Sequence, residues 1–173
     1  LAHSEFRLQK LAGLVREQVP TISGLNSRFE HIVLLERELD AAEQAVLVEL
    51  LAYDSPAPTD VDLTEAVLVL PRRGTISPWS SKATDILRNC GVDAVQRVGR
   101  GVVYALHGEG SLDRAAAAVY LHDRMTEDTV ALEADLDDYF EALTAAPLAH
   151  VAVTAQGRGA LEQANTELGL ALS

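Results

Sequence analysis

The stretch "PRRGTISPWSSKATDILRNCG", Pro71 to Gly91, sets an Arg-Arg-Gly turn, a Ser-Pro helix start and a lysine side by side. Ser77 suits a helix N-cap, and Pro78 suits the first helical position, where its missing N–H costs nothing. The backbone N–H groups of Trp79, Ser80 and Ser81 are then expected to point out of a helix N-terminus carrying a partial positive charge of about half a unit. With Lys82 in the first turn and Arg72 and Arg73 just upstream, that chemistry fits a phosphate or a carboxylate. The plainer reading is that the hydroxyls only cap the helix and Trp79 packs into a core or an interface. A P-loop is excluded, because Gly74 has no partner glycine ahead of Lys82.

Charge sharpens the question. The 173-residue chain carries a formal net charge of −12, yet residues 72–100 hold six of its 14 basic groups (Arg72, Arg73, Lys82, Arg88, Arg97 and Arg100). Only Asp85 and Asp93 oppose them, so this island is +4 and the remainder is −16. The total argues against nonspecific nucleic-acid binding, which needs a broad cationic footprint. The island points to a local anion, either a phosphate-bearing ligand or an acidic partner surface.

The elements that must position these residues follow from periodicity. Apolar residues make up 48% and aromatics only 5%, so the core rests on Leu, Val, Ile and Ala, in one domain or one domain with an appendage. In "HSEFRLQKLAGLVREQV", Ser4 is the expected cap, with Phe6, Leu8, Leu11, Leu14 and Val15 as a helical stripe closed by Pro20. Arg28 to Glu38 reads as a strand centred on Ile32 to Leu35. A helix capped by Asp40 follows, with Ala45, Leu47, Leu50 and Leu51 on its buried side. Asp54 to Asp60 is a loop, and "EAVLVLP" is a strand ended by Pro71. A helix from Pro78 to Cys90, stopped by Gly91, leads into "VDAVQRVGRGVVYALHG", one or two strands bent at Gly99–Gly101. Ser111 is the expected cap of the next helix.

The pattern around Val19, Ile22 and Leu25 recurs at Val92, Val95 and Val98, each time after a helix and before a Val/Leu-rich strand and a capped helix. Two related halves sharing one sheet are expected, an α+β open-faced arrangement with helices packed on a mainly antiparallel sheet. Between Glu127 and Glu141 lie seven acids and no base. Leu132, Leu136, Phe140 and Leu143 keep an i, i+4 stripe there, so this part reads as an amphipathic helix with a solvated acidic face. "AHVAVT" reads as a short strand before a terminal helix. The expected division is 1–124 for the sheet domain and 125–173 for the start of a mostly helical linker.

Three negatives bound the chemistry. No apolar run approaches the roughly 20 residues that span a bilayer, and the first segment is charged and helix-periodic, unlike a secretory signal. Cys90 is the only cysteine, near a helix C-terminus that disfavours a thiolate, which fits a reducing compartment and not a nucleophile. Ser80, His122 and Asp85 lack an elbow motif, and His3, His31, His107, His122 and His150 lack metal-ligand spacing, so no metal site is expected.

Pro71 to Gly91 is similar to the signature of the large form of phosphoribosylformylglycinamidine synthase, the amidotransferase of purine biosynthesis. "SEFRLQKL", "VQRVGRGVVYAL", "LHDRMTE" at 121–127 and "GRGALEQANTELGLALS" agree in order. Arg73 departs from the resemblance, standing where the family usually has proline. The resemblance implies an N-terminal domain like the small PurS-type subunit, doubled internally, followed by the start of the linker to an ATP-dependent synthetase domain. It implies a cytoplasmic ligase that makes formylglycinamidine ribonucleotide from formylglycinamide ribonucleotide, ATP and glutamine, with ATP and magnesium bound elsewhere in the full-length enzyme. Catalytic residues are expected outside this chain, which would be inactive alone. Its expected partners are the synthetase and glutaminase domains of its own polypeptide, with no nucleic acid and no membrane; self-association of the isolated chain stays open. Arg72, Thr75, Ser77, Trp79, Ser80, Ser81 and Lys82 are the candidate substrate or inter-domain contacts. The alternative is an independent module that binds a phosphate ligand at the helix N-terminus, Ser77 to Lys82.

Overall fold

The computed structural model describes residues 2–52, 63–132, 134, 136–137, 139–141, 143–145 and 147–172. The chain divides into two compact units, Leu1–Ala142 and Leu143–Ser173. In the first, α1 (Glu5–Gln18), β1 (Ile22–Leu35), α2 (Ala41–Leu51), β2 (Ala66–Pro71), α3 (Pro78–Asn89), β3 (Val95–Gly108), α4 (Arg114–Leu121) and β4 (Glu127–Val130) follow one another. The four strands form one antiparallel sheet in the order β1-β3-β2-β4. The loop expected at Asp54 to Asp60 lies outside the described residues.

A constant step of 73 residues relates the two halves. Ser4 and Ser77 cap α1 and α3; Ile22 and Val95 open the two long strands, which Leu35 and Gly108 close; Asp40 and Asp113 cap α2 and α4. Phe29 stands opposite Val102, its own counterpart, and the pairs Arg28 with Val103 and Glu30 with Gly101 fall evenly on either side. A local twofold therefore passes between Phe29 and Val102. The matched residues Val19 and Val92, Ile22 and Val95, and Leu25 and Val98 are all buried, so the duplication seen in the sequence repeats a core and not only a pattern.

The four helices among the described residues of this unit lie on one face. Leu8, Ala12 and Val15 of α1 meet Ala117, Ala118 and Leu121 of α4 over Val67, Val69, Tyr104 and Leu106. Leu87 of α3 and Val46, Leu47 and Leu51 of α2 meet over Val33, Val95 and Val98. Strand residues of the opposite parity, Ala66, Leu68, Leu70 and Val103, point to the other face, where Leu132, Leu136, Tyr139 and Phe140 cover them.

Several expectations shift for local reasons. The buried stripe of α1 runs through Leu8, Ala12 and Val15, which leaves Phe6 78% exposed and Leu14 half out. On α2, Val46 packs inward while Ala45 and Leu50 are exposed. The cap of α4 is Asp113, which accepts from the Ala116 N–H at 3.0 Å, while Ser111 stays outside and Leu112 enters the core. β1 starts at Ile22, earlier than Arg28, because its pairing with β3 continues to Gly108. β3 is one unbroken strand: Gly99 and Gly101 make room and no bend. A Cβ on Gly99 would press 3.2 Å from the Phe140 ring, and one on Gly101 would sit 2.5 Å from the Val69 carbonyl oxygen and strike Leu70.

The acidic segment is the largest correction. Glu127–Val130 is a strand, paired with the outer edge of β2, and the described residues of 131–141 form turns and no helix. β2 needs a ladder partner on that edge, and Thr129 and Val130 supply it. Leu132, Leu136 and Phe140 still turn inward, held by turns such as Tyr139 N–H to Leu136 carbonyl at 2.9 Å, and Leu143 is exposed. The expected boundary at 124/125 thus falls inside the first unit, which runs through Ala142.

In the second unit, irregular chain over 149–152 and then α5 (Val153–Gln156) stand where a strand was expected, and α6 (Arg158–Leu168) is the expected terminal helix. A lone strand has no ladder partner, so its backbone does better in a helical turn. Gly169, in the left-handed region at φ 62°, ends α6.

Asp40 caps α2 in a reciprocal capping box with Glu43, whose carboxylate also grips Arg37 at 2.7 and 2.8 Å. The hydrogen bonds from Arg37 and then from the Asp40 N–H hold the Glu43 carboxyl down to about 2. Gly101→Ala is expected to destabilise the sheet by about 1–3 kcal/mol through overpacking against β2, read as a lower urea midpoint at unchanged slope.

Candidate functional site

The cationic corner forms where β2 hands over to α3. After Pro71, the Arg72 N–H donates to the Thr126 carbonyl at 2.9 Å, and Thr75 turns back, its N–H and hydroxyl donating to the Arg72 carbonyl at 3.1 and 2.6 Å. Gly74, at φ 79°, makes that turn possible. Ser77 caps α3 by accepting from the Ser80 N–H at 3.1 Å, and its carbonyl accepts from the Ser81 N–H at 3.3 Å. Two of the three N–H groups expected to face outward are therefore taken inside the helix.

α3 is locked to β3 by hydroxyls. Ser80, 4% exposed, donates its hydroxyl to the Val98 carbonyl at 2.5 Å. Thr84 donates its own to the Ser80 carbonyl at 2.8 Å and accepts from the Val98 N–H at 3.1 Å. Tyr139 and Phe140 support the corner from the other face: Tyr139 donates its hydroxyl to the Pro71 carbonyl at 3.0 Å, and Phe140 lies 5.3 Å beneath the Arg97 guanidinium. Arg97 in turn donates to the Thr75 carbonyl at 3.2 Å.

The sequence-chosen residues therefore divide. Ser80 faces the core. Ser77 and Trp79 are half-buried. Arg72, Thr75, Ser81 and Lys82 are exposed, with Arg72 facing Asp128 at 4.0 Å. Trp79 is not a lone anchor, since the Arg100 guanidinium lies 4.4 Å from both its ring and that of Phe29, and His31 packs against it with centroids 5.7 Å apart. Arg97, Arg100, Phe29, His31, Tyr139 and Phe140 were not legible as partners of the corner. Only strand parity, which sets Phe29, His31 and Arg100 on one face of β1 and β3, hinted at those three.

Two concavities adjoin the corner. One, bounded by Arg72, Gly74, Thr75, Ser77, Arg97 and Tyr139, measures about 20 Å³, scarcely one water. The other is an apolar groove of about 170 Å³ between α2 and α3, lined by Leu50, Leu51, Trp79, Lys82, Ile86 and Leu87. Leu50 and Ile86 stand 41% and 43% exposed at its rim, and no ion pair to Lys82 is present among the described residues.

The side chains that suggested a nucleophile do not assemble: the Ser80 hydroxyl is spent on Val98, and His122 Nδ1 sits 2.6 Å from the Ala118 carbonyl. Cys90 is exposed at the end of α3. Among the described residues no group of His, Cys, Asp or Glu could hold a metal ion, and no helix is long and apolar enough to cross a membrane.

A family model described as "formylglycinamide ribonucleotide amidotransferase N-terminal" matches residues 28–140. The chain belongs to this family. In this amidotransferase N-terminal domain the match runs from β1 to Phe140 and so takes in the whole corner and the segment that braces it. The domain is part of the formylglycinamide ribonucleotide amidotransferase of purine biosynthesis.

Burial, and then the charge of Arg100, lower the His31 pKa, and burial followed by Arg7 lowers that of His3. A histidine depressed in the folded state gives stability that is complete above its unfolded value of 6.5 and drains away as pH falls below it. The melting temperature is expected to drop from pH 7 to pH 5, with a shallower slope in a His3→Gln, His31→Gln double variant. Equal slopes would show that neither ring contributes.

Proposed function

We propose that this domain organises contacts between other parts of an ATP-dependent, glutamine-using ligase, with its cationic corner and the adjoining groove forming the docking surface. The reaction is the conversion of formylglycinamide ribonucleotide to the amidine, with ATP and magnesium held by a synthetase domain and ammonia delivered from a glutaminase domain. The chain alone is inactive in this reading, and a cytoplasmic location suits its single reduced cysteine. The observation that carries the docking role is the α2–α3 groove, an apolar slot with a half-buried tryptophan at its floor and Lys82 at its rim. A tryptophan set in a small apolar pocket is a usual interface centre, with charged side chains such as Lys82 at the polar rim.

An independent phosphate module finds less support. The concavity at the corner is far smaller than a phosphate ester, and the helix N–H groups of Ser80 and Ser81 already have acceptors.

In the full-length enzyme, Trp79→Ala or Lys82→Ala is expected to lower glutamine-supported turnover about tenfold while sparing free glutaminase activity. Equal losses in both assays, tracking a lower melting temperature, would defeat the docking role. Calorimetry of the isolated chain with formylglycinamide ribonucleotide separates the two readings, because tight binding there would favour the phosphate module.

A further inference from the structure

The residues that build the α2–α3 groove have no like counterparts in the other half of the duplicated frame. The 73-residue step carries Trp79, Lys82 and Ile86 back to Phe6, Gln9 and Gly13 on α1. It carries Leu50 and Leu51 forward to Asp123 and Arg124, which lie beyond the end of α4. α2 is 11 residues long and α4 only 8, so the α2 wall of the groove is an extra turn that α4 lacks. The buried positions of the two halves match, whereas all five of these differ in residue type. The first half closes its core without such side chains, so the fold itself does not call for them.

The groove also has a definite chemistry. Trp79, Lys82, Ala83 and Ile86 form one stripe of α3 at i, i+3, i+4 and i+7, and Leu50 and Leu51 face that stripe from α2. Among the described residues lining it, Lys82 alone is charged. The volume of about 170 Å³ is close to the roughly 150 Å³ of a cavity that takes one benzene ring, so a single large apolar side chain fills it. Lys82 has no ion pair among the described residues, and Asp85, three positions on, does not supply one. The first turn of α3 holds no acid, and the helix end there is itself partly positive, so nothing local offsets the ammonium.

We infer that the groove receives a leucine or phenylalanine side chain with an aspartate or glutamate beside it, carried by another domain of the same polypeptide. The apolar side chain fills the slot against Trp79, and the carboxylate pairs with Lys82 at the rim. A free phosphate ester would meet the ammonium but leave the slot empty. The inference rests on the docking role proposed above and adds to it the chemistry of the partner segment.

The test is made on the full-length enzyme. A water-soluble carbodiimide joins an amine to a touching carboxylate as an amide, with no spacer between them. Mass spectrometry of the digest is expected to show Lys82 joined to an acid outside this domain, and the link is expected to be lost in Lys82→Arg. In a second protein, p-benzoylphenylalanine replaces Ile86 at the groove rim, and light is expected to couple it to the segment carrying that acid. Glutamine-supported turnover is expected to fall about tenfold further in Lys82→Glu than in Lys82→Ala, with the gap narrowing at high salt. Capture through position 86 with no link at Lys82, or equal losses for the two substitutions at every salt concentration, would overturn the carboxylate while leaving the docking role standing. A link to Asp85 alone, or to a second copy of the enzyme, would overturn the inference too. Capture by neither reagent would bring down the docking role with it.

Discussion

The antiparallel pairing of β1 with β3 is the constraint from which the rest follows. Its register places Phe29 against Val102, counterparts in the two halves, so each half meets the other through the same strand read in reverse. A one-residue slip would turn Val33 and Val98 away from α2 and α3, and Leu25 and Leu106 away from α1 and α4. Both helix-facing cores depend on that single alignment. The matching caps at Ser4 and Ser77, and at Asp40 and Asp113, then fix where each helix begins relative to its strand.

The halves have since diverged in what they do with equal positions. Trp79 occupies the place of Phe6, yet Phe6 is exposed while Trp79 sits between His31 and Arg100. Ser27 and Arg100 are likewise equivalent. One holds the entering chain by its carbonyl, and the other lies against two aromatic rings. The cationic character of the second half is thus a local elaboration of a shared frame. Much of it is invested in bracing, since Arg97 and Arg88 donate to backbone carbonyls at the ends of α3 and β3. Lys82 and the α2–α3 groove remain facing outward.

Local signals in the sequence were reliable where one residue decides one bond. Ser4, Asp40 and Ser77 were all legible as caps, and the repeat of Val19, Ile22 and Leu25 revealed the duplication. Features decided by distant partners were hidden. Glu127 to Val130 lies in an acidic run with helical spacing, and only the open edge of β2, more than fifty residues earlier, makes it a strand. Gly99 and Gly101 resembled a bend because glycine more often permits a turn than a close approach. Their reason lies in Phe140 and in the backbone of β2. Ser80 looked like a surface hydroxyl beside a lysine, and its burial depends on the Val98 carbonyl. The corner was therefore readable as a location, while its wiring was not.

The long separation between β1 and β3 also shapes how the chain comes into being. During synthesis β1 leaves the ribosome well before the strand that completes it, because Ile22 awaits Gly108 and Leu34 awaits Arg97. In that interval its apolar residues have only α1 and α2 for shelter, and pairing distant in sequence is slow to nucleate. The order of its strands therefore leaves an apolar strand unpaired on the nascent chain until the second half has emerged and folded back onto the first.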